Sequence, residues 1–341
     1  MIRFTGDICL CDNAFDIGLG VGSCVLKRNL QPFSKLQKRS DDIWIGNFEG
    51  VVSDLSSKEG CYRDVFRISK DCFEKCHSII DFWGIANNHV MEHGVDAYLQ
   101  MESFLNKKGK GTFGSKQHRT VVFDQFGRKI AITGYSLRVE EKCETPLYWH
   151  LPELFEIQEE YNNIVYADYK IAYIHWGVEY VDHPCVEQIK YAHWLIDLGY
   201  DLVVGMHPHV LQGYEVYKGK YIYYSLGNTV FNMNHEPSRF GAIVSLNTIT
   251  GEVSHQYIRI DNSFCPETIE EDEVPMNYKF STLNSKIANV KNIEKYVREF
   301  HFGLKAFRKS NYKDFIRHFY KLRTSVFFQI MKDFVKRRLL K

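Results

Sequence analysis

The strongest constraint on the fold is a succession of short apolar runs, each of strand length and each ending in polar residues. Ile2–Phe4, Ile43–Ile45, Ile79–Ile85, Lys129–Thr133, Lys170–Ile174 and Leu202–Val204 follow one another, bounded by Gly, Asp, Asn or His. Between them, Val95–Leu105 and Val186–Leu198 have helical spacing, the second placing Ile189, Ala192, His193 and Ile196 on one side. Strands that alternate with helices predict a layered α/β domain whose helices cover a largely buried sheet. After residue 210 the runs follow without helices: Val210–Val216, Lys220–Ser225, Ala242–Leu246 and Val253–Ile260, with Gly213, Gly219, Gly227 and Gly251 at or near their turns. This predicts a more antiparallel β portion joined to the first.

The chain has 341 residues, enough for two units or for one large α/β domain with an appendage. Its 45% hydrophobic and 25% charged residues are ordinary globular proportions and argue against wholesale disorder. The net charge of +1 is divided unevenly: residues 281–341 carry +12 and the first 280 carry −11. The acidic, Pro-bounded stretch Glu267–Pro275 precedes the change and reads as a connection. We therefore expect a body over 1–262, a linker over 263–280 and a basic helical tail over 281–341. In the tail Phe315, Phe319, Leu322, Val326, Ile330 and Phe334 step by threes and fours, with Arg317, Lys321, Lys332, Lys336 and Arg337 elsewhere around the turn. No apolar run reaches the roughly 18 residues that span a bilayer. An acidic residue, Asp7, arrives before a signal-peptide core could form. A cytoplasmic protein is expected, and its basic tail has three readings: packing onto the body, pairing with another chain, or lying on an anionic membrane surface. Packing is favoured, because an amphipathic helix most often covers its own core. The nine scattered cysteines lack zinc or thioredoxin spacing and are expected as free thiols.

Ligands of α/β proteins gather at the carboxyl ends of strands. Five such ends carry residues that a structural role does not need: Gly6-Asp7, Asn47-Phe48-Glu49, Ala86-Asn87-Asn88-His89, His175-Trp176-Gly177-Val178-Glu179 and Gly205-Met206-His207-Pro208-His209. One tip of this kind is ordinarily a turn. Five in succession offer carboxylates, imidazoles and amide oxygens, a ligand set suited to Mn, Fe or Zn. Pro208 cannot donate to a ladder and biases His207 toward extended backbone, so the His207/His209 pair is expected in a rigid turn just past a strand.

These motifs, together with Gly94, Tyr180 and the stretch from Asp201 through Tyr224-Ser225-Leu226-Gly227-Asn228 to Phe231, resemble the CapA family of capsule and poly-γ-glutamate synthesis proteins. That family belongs to the calcineurin-like metallophosphoesterase superfamily, and the resemblance covers roughly residues 1–260. It implies a four-layer α/β/β/α metallophosphoesterase-like sandwich, here with a C-terminal helical appendage. It also implies two divalent metal ions, Mn first and Fe or Zn as alternatives. Carried over by motif, Asp7 and His209 would hold one ion and Asn88, His175 and His207 the other, with Glu49 as the bridging carboxylate. His89 would be the acid for a leaving group.

Classical members of the superfamily have Asp-x-His at the first strand, and here the third position of that motif, counted from Asp7, is Cys9. Cys11-Asp12 replaces a usual Gly and basic residue, and Glu92 replaces a common Asp. Three further residues are candidates for substrate contact: Arg67, in a Phe-Arg-Ile-Ser stretch, through its fork; Glu179, which could instead orient His175; and Asn228, which could instead form a turn. His93, His118, His183, His193 and His235 have no motif support.

Two functions of different class follow. One is a metal-dependent hydrolase acting on a phosphoester, or on an acyl or amide bond in an anionic polymer or its precursor. The other is a non-catalytic, polymer-binding accessory of a capsule or polysaccharide assembly complex, working with capsule-assembly proteins. A nuclease would want basic residues at the site, and the acidic body argues against nucleic acid.

Overall fold

The computed structural model describes residues 1–14, 16–139, 143–233, 235–303, 305, 322 and 324–339. In chain order the first elements are β1 (Ile2–Ile8), α1 (Val21–Arg28), β2 (Ile43–Phe48), β3 (Val51–Val52), β4 (Arg67–Ile68), α2 (Lys70–Lys75), β5 (Phe82–Gly84), α3 (Val95–Lys107) and β6 (Gly111–Phe113). Next come β7 (Thr120–Gln125), β8 (Arg128–Ser136), α4 (Leu154–Ile164), β9 (Tyr169–His175), α5 (Val186–Leu198) and β10 (Leu202–Met206). Then follow β11 (Tyr214–Tyr217), β12 (Lys220–Tyr223), β13 (Asn228–Val230), β14 (Phe240–Leu246), β15 (Val253–Ile260) and β16 (Pro266–Ile269). Among the described residues the last helices are α6 (Phe280–Ala288), α7 (residues 293–303) and α8 (Thr324–Leu339).

Two large sheets and a small one, β3 paired with β4, form from these strands. The first has eight strands in the order β16-β15-β14-β1-β2-β5-β6, with β13 also paired to β1, and the second has six in the order β11-β12-β10-β9-β8-β7. The first is antiparallel from β16 to the central β1 and parallel from β1 to β6, whereas the second is parallel from β12 to β8 with an antiparallel strand at each edge. Of the strands after residue 210, β11 with β12 and β14 through β16 pair antiparallel as expected, but β12 runs parallel to β10 and β13 parallel to β1, and together they build no portion of their own. Strands β11 and β12 complete the second sheet, and β13 to β16 extend the first. Short strands with one apolar face reach burial most readily on an edge that already exists.

Period-two burial sets the layers. Ile43 and Ile45 of β2, Ile130 and Ile132 of β8, and Ile171 and Tyr173 of β9 meet in one core between the sheets. On the other side of the first sheet, Trp44 and Trp83 pack with Val25 of α1, Phe73 of α2 and Met101 of α3. Ala172, Ile174 and Val203 turn outward from the second sheet onto Ile157 of α4 and Leu195 of α5. The layers therefore run helix, sheet, sheet, helix, the sandwich that the resemblance implies. Burying each large aliphatic side chain is worth about 1.5–3 kcal/mol. Slipping one strand by one residue would expose a whole row of them, so the facing of each strand is firmly set.

Helix α5 starts where Cys185 and Gln188 exchange cap hydrogen bonds and stops at Gly199, whose φ of 123° suits glycine. Within the stretch expected as a linker, Pro266–Ile269 pairs with β15 as an edge strand. Beyond it, Phe280 and Leu283 of α6 enter the core between the sheets, and Ile287 and Tyr296 enter the outer core of the second sheet. Leu322 and Val326 are buried. The stripe residues Phe315 and Phe319, with Arg317 and Lys321, lie outside the described residues. All nine cysteines are free thiols. Among the described residues no helix is long and apolar enough to cross a membrane.

Candidate metal centre

The cleft forms where central strands of both sheets end. Ile43 and Ile45 point into the inter-sheet core, so Asn47, two residues on, faces the same way; Ile171 and Tyr173 do the same for His175. Asp7 reaches this face by a different route. Phe4 pairs with Ile45 but Asp7 pairs with Asn47, so β1 holds one residue more than β2 over this step. That bulge reverses the alternation and turns Asp7 toward the other sheet. Gly6 permits it, because a Cβ there would lie 1.9 Å from the Gly227 carbonyl oxygen.

Asp7, Glu49, His175, His207 and His209 are all at most 2% exposed. The Asn47 amide donates to Asp7 Oδ1 at 2.8 Å and lies 3.3 Å from His175 Nδ1. The other Asp7 oxygen accepts from the His207 backbone N–H at 3.0 Å. Asn88 Oδ1 faces His175 Nε2 at 2.9 Å. His209 Nδ1 is 3.4 Å from Asp7 Oδ2, and its Nε2 is 3.5 Å from Glu49 Oε1. The His207 ring stands between, with its centroid 4.6 Å from that of His175 and 5.8 Å from that of His209. His207 is not extended as expected: its φ is 95°, and that of His209 is 58°. The hydrogen bond from His207 N to Asp7 holds the first of these uncommon backbone conformations in place.

Glu49, His207 and His209 form the tightest donor group, with one ligand atom from each within 4.8 Å of the others. Both carboxylate oxygens of Glu49 and both ring nitrogens of His207 are buried without a hydrogen-bond partner. Leaving such atoms unpaired costs about 1–3 kcal/mol each, more where charge is involved, and folded proteins rarely tolerate it. Burial pushes Asp7 up to about 7 and raises Glu49 well above the carboxylate range, the Asp7 charge adding to the effect on Glu49. Burial likewise pushes His209 down to about 3 and lowers His175 and His207, so the imidazoles stay neutral. Neutral imidazoles beside carboxylates that lack a counter-charge fit a divalent cation.

His89 stands at the rim, with its Nε2 3.5 Å from Glu49 Oε1 and its Nδ1 2.5 Å from Glu92 Oε1. Its ring stacks on Phe66 at 3.7 Å between centroids. Glu92 also pairs with Lys58. Burial works to raise Glu92, but the hydrogen bonds and charges of His89 and Lys58 outweigh it and hold this carboxyl at about 2.

The residues expected to touch substrate divide. Arg67 is committed elsewhere: its guanidinium donates to the carbonyls of Arg63 and Ser53 and pairs with Asp64, which pins the segment carrying β3 and β4. Glu179 is partly exposed, and its charge bears on Asp7 and Glu49. The ring nitrogens of His175 face Asn47, Asp7 and Asn88, with no hydrogen bond to Glu179 among the described residues. Asn228 is fully buried, and its Oδ1 accepts from His209 Nδ1 at 3.0 Å while its amide donates to the Ser238 carbonyl at 3.0 Å. It fixes the tautomer that leaves His209 Nε2 free to ligate. Cys9 is buried, with its thiol toward the Cys11 carbonyl. The sequence reading missed Asn47 and Asn87 as the amides that tie the strand ends together: Asn87 donates to Asn47 Oδ1 and to the Phe48 carbonyl, and accepts from His89 N. Alternation along β2 could have found Asn47.

A helix–sheet–sheet–helix sandwich with a buried cluster of imidazoles and carboxylates at its strand ends defines a metallophosphoesterase-like protein. The sequence pattern of the bacterial capsule synthesis protein PGA_cap matches residues 1–233, and the chain belongs to that family. It is 44% identical over 264 residues to the capsule biosynthesis protein CapA of Bacillus anthracis, covering 71% of this chain and 62% of that protein. It is 30% identical over 221 residues to the PGA biosynthesis protein CapA of Bacillus subtilis, covering 60% of this chain and 57% of that one. The chain thus aligns with about three-fifths of each relative. Among solved structures, a 5'-nucleotidase from Candida albicans aligns at 13% identity and TM-score 0.45, covering 89% of this chain and 58% of that one. A phosphatase from Mycoplasma pneumoniae aligns at 15% and 0.44, covering 76% and 92%. Values this low carry nothing about activity.

Proposed function

We propose that this CapA-family chain is a metal-dependent hydrolase of capsule or poly-γ-glutamate synthesis. Its substrate would be a phosphoester, or an acyl or amide bond in an anionic polymer or its precursor. The observation that carries the reading is the set of orphaned ligand atoms on Glu49 and His207 beside His209. Asp7, Asn88 and His175 complete the residues that would hold two ions, Mn first and Fe or Zn as alternatives. Bound there, the ions would supply Lewis acidity and a water of lowered pKa.

The remaining chemistry belongs to the chain. His89 is aimed by two contacts, the Glu92 carboxylate at Nδ1 and the Phe66 ring on its face. These leave Nε2 toward the cleft, where it can give a proton to a departing oxygen or nitrogen. Asn228 and Asn47 hold the rings of His209 and His175 in single orientations.

One observation favours a second reading, a non-catalytic polymer-binding component of an assembly complex. Asp7, Asn47, Asn88 and His175 already satisfy one another through hydrogen bonds, so part of the cleft keeps its shape without an ion. Metal analysis of the purified protein separates the two, followed by assays on nitrophenyl phosphomonoesters, phosphodiesters and γ-glutamyl substrates. Bound Mn with metal-dependent turnover supports the hydrolase. Polymer binding by a protein inactive on the whole panel supports the accessory.

A further inference from the structure

The body of this protein is acidic, yet one cation stands at the end of a strand that borders the cleft and is absent from the family's motifs as recognised in the sequence. Arg138 lies two residues beyond Ser136, the end of β8, which pairs with His175 of β9. The Leu137 N–H donates to the His175 carbonyl at 2.9 Å, and the Arg138 N–H to Ser136 Oγ at 3.2 Å, so the backbone that carries Arg138 is tied directly to a residue of the centre. Its Nη1 donates to the Gly177 carbonyl at 3.0 Å, in the loop that follows His175. Its Nε is buried and has no partner, and no carboxylate pairs with its guanidinium among the described residues. The positive charge bears on His175, His207 and His209, whose protonation it disfavours.

A guanidinium is a planar fork. With Nη1 spent on Gly177, the edge formed by Nε and Nη2 remains, and that edge matches two oxygens of one oxyanion. A buried donor without a partner is costly, and here the deficit lies beside a cleft that the proposed hydrolase would use. We propose that Arg138 is the specificity-determining residue of this site, gripping an oxyanionic group of the substrate, a phosphate or a carboxylate, through its Nε–Nη2 edge. This rests on the metal-dependent reading and adds a substrate class to it: molecules with an anionic group at or next to the bond that is cut. Arg67, the arginine that the motif suggested, has its fork filled.

The test uses the whole chain and two calorimetric titrations. The first measures Mn²⁺ binding to wild type, Arg138→Gln and Arg138→Lys. The second measures inorganic phosphate, and separately glutarate, binding to each Mn²⁺-loaded protein. Arg138→Gln should bind Mn²⁺ no more weakly than wild type, which also shows that it folds, yet lose roughly tenfold or more in affinity for one oxyanion or both. Arg138→Lys should fall between them, because an ammonium keeps the charge and loses the fork. A loss confined to phosphate, or to glutarate, identifies the group that is gripped. If wild type binds Mn²⁺ and Arg138→Gln binds both oxyanions as tightly as wild type, the assignment of Arg138 is wrong and the metal centre stands. If wild type binds no Mn²⁺, the metal reading and the proposal fall together.

Discussion

Asn228 Oδ1 lies 3.0 Å from His209 Nδ1, and this single contact decides which nitrogen of that histidine faces Glu49. A histidine that ligates through one nitrogen ordinarily donates from the other, and removing the acceptor typically costs 10–100-fold in metal affinity. Asn228→Ala should therefore weaken Mn²⁺ binding by roughly that factor, read by calorimetry. Asn228→Asp also offers an acceptor and should recover most of the loss. Equal affinities in all three proteins would remove the orienting role.

Orphaned atoms predict a stability gain from metal. A ligand that binds only the folded state at 100 times its Kd adds about 2.7 kcal/mol. Saturating Mn²⁺ should raise the melting temperature of wild type clearly and that of Glu49→Gln or His207→Ala much less. Without metal, Glu49→Gln should be at least as stable as wild type, since it keeps the shape of a buried side chain whose charged form burial disfavours.

His89→Ala separates chemistry from metal binding. It should leave Mn²⁺ affinity within a few-fold and slow turnover by about 10²–10⁴ on substrates with poor leaving groups. On nitrophenyl esters, whose leaving group needs little protonation, the loss should be far smaller. A uniform loss on both would move His89 from proton donor to structural support.

The acid side of the stability profile should contain Glu92. Its folded value of about 2 lies below the ordinary 4.5, so the unfolded chain takes up its proton first as pH falls. The stabilisation is fully present above about pH 4.5 and is lost between there and about pH 2. The difference in stability between wild type and Glu92→Gln should shrink across that window, measured by denaturant titration at a series of pH values. A difference that stays constant through the window would mean that His89 and Lys58 do not hold the carboxylate as described.

The C-terminal region is also part of the packing. The Tyr296 hydroxyl donates to the Pro184 carbonyl at 2.6 Å, in the loop that follows Tyr180, and Lys286 pairs with Asp182 of the same loop. Tyr296→Phe should cost about 1 kcal/mol and Tyr296→Ala about 3–5 kcal/mol, by thermal or chemical unfolding. For the basic stripe beyond, co-sedimentation with anionic vesicles at low and high salt separates the readings: salt-sensitive binding supports membrane contact, and no binding supports packing or pairing.

Strand ends were the legible part of this sequence. Apolar runs placed β2, β9 and β10, and the polar residues after them are those that converge from Asp7 to His209. Alternation accounts for His175 and would have accounted for Asn47. It fails for Asp7, which stands at the helix-facing parity counted from Ile2 and Phe4 and is turned inward by a bulge that leaves no mark in a hydropathy pattern. Arg67 and Arg138 show the other limit. A motif favoured the first, but whether a guanidinium is free depends on which carbonyls happen to lie beside it, and that is settled by distant segments. The edge strand Pro266–Ile269 looked like a linker because edges keep polar residues on their open side.

The extra residue in β1 makes changes of length and changes of shape unequal in their effect. Removing one residue between Phe4 and Asp7 would restore a plain two-residue alternation with the carboxylate still facing the other sheet. Straightening the strand at its present length would send the carboxylate among the tryptophans Trp44 and Trp83 and put Ile8 in the cleft. For anyone rebuilding this protein, a shortened first strand is thus the milder edit, and an apparently harmless side chain at Gly6, which collides with Gly227, is the one that displaces Asp7.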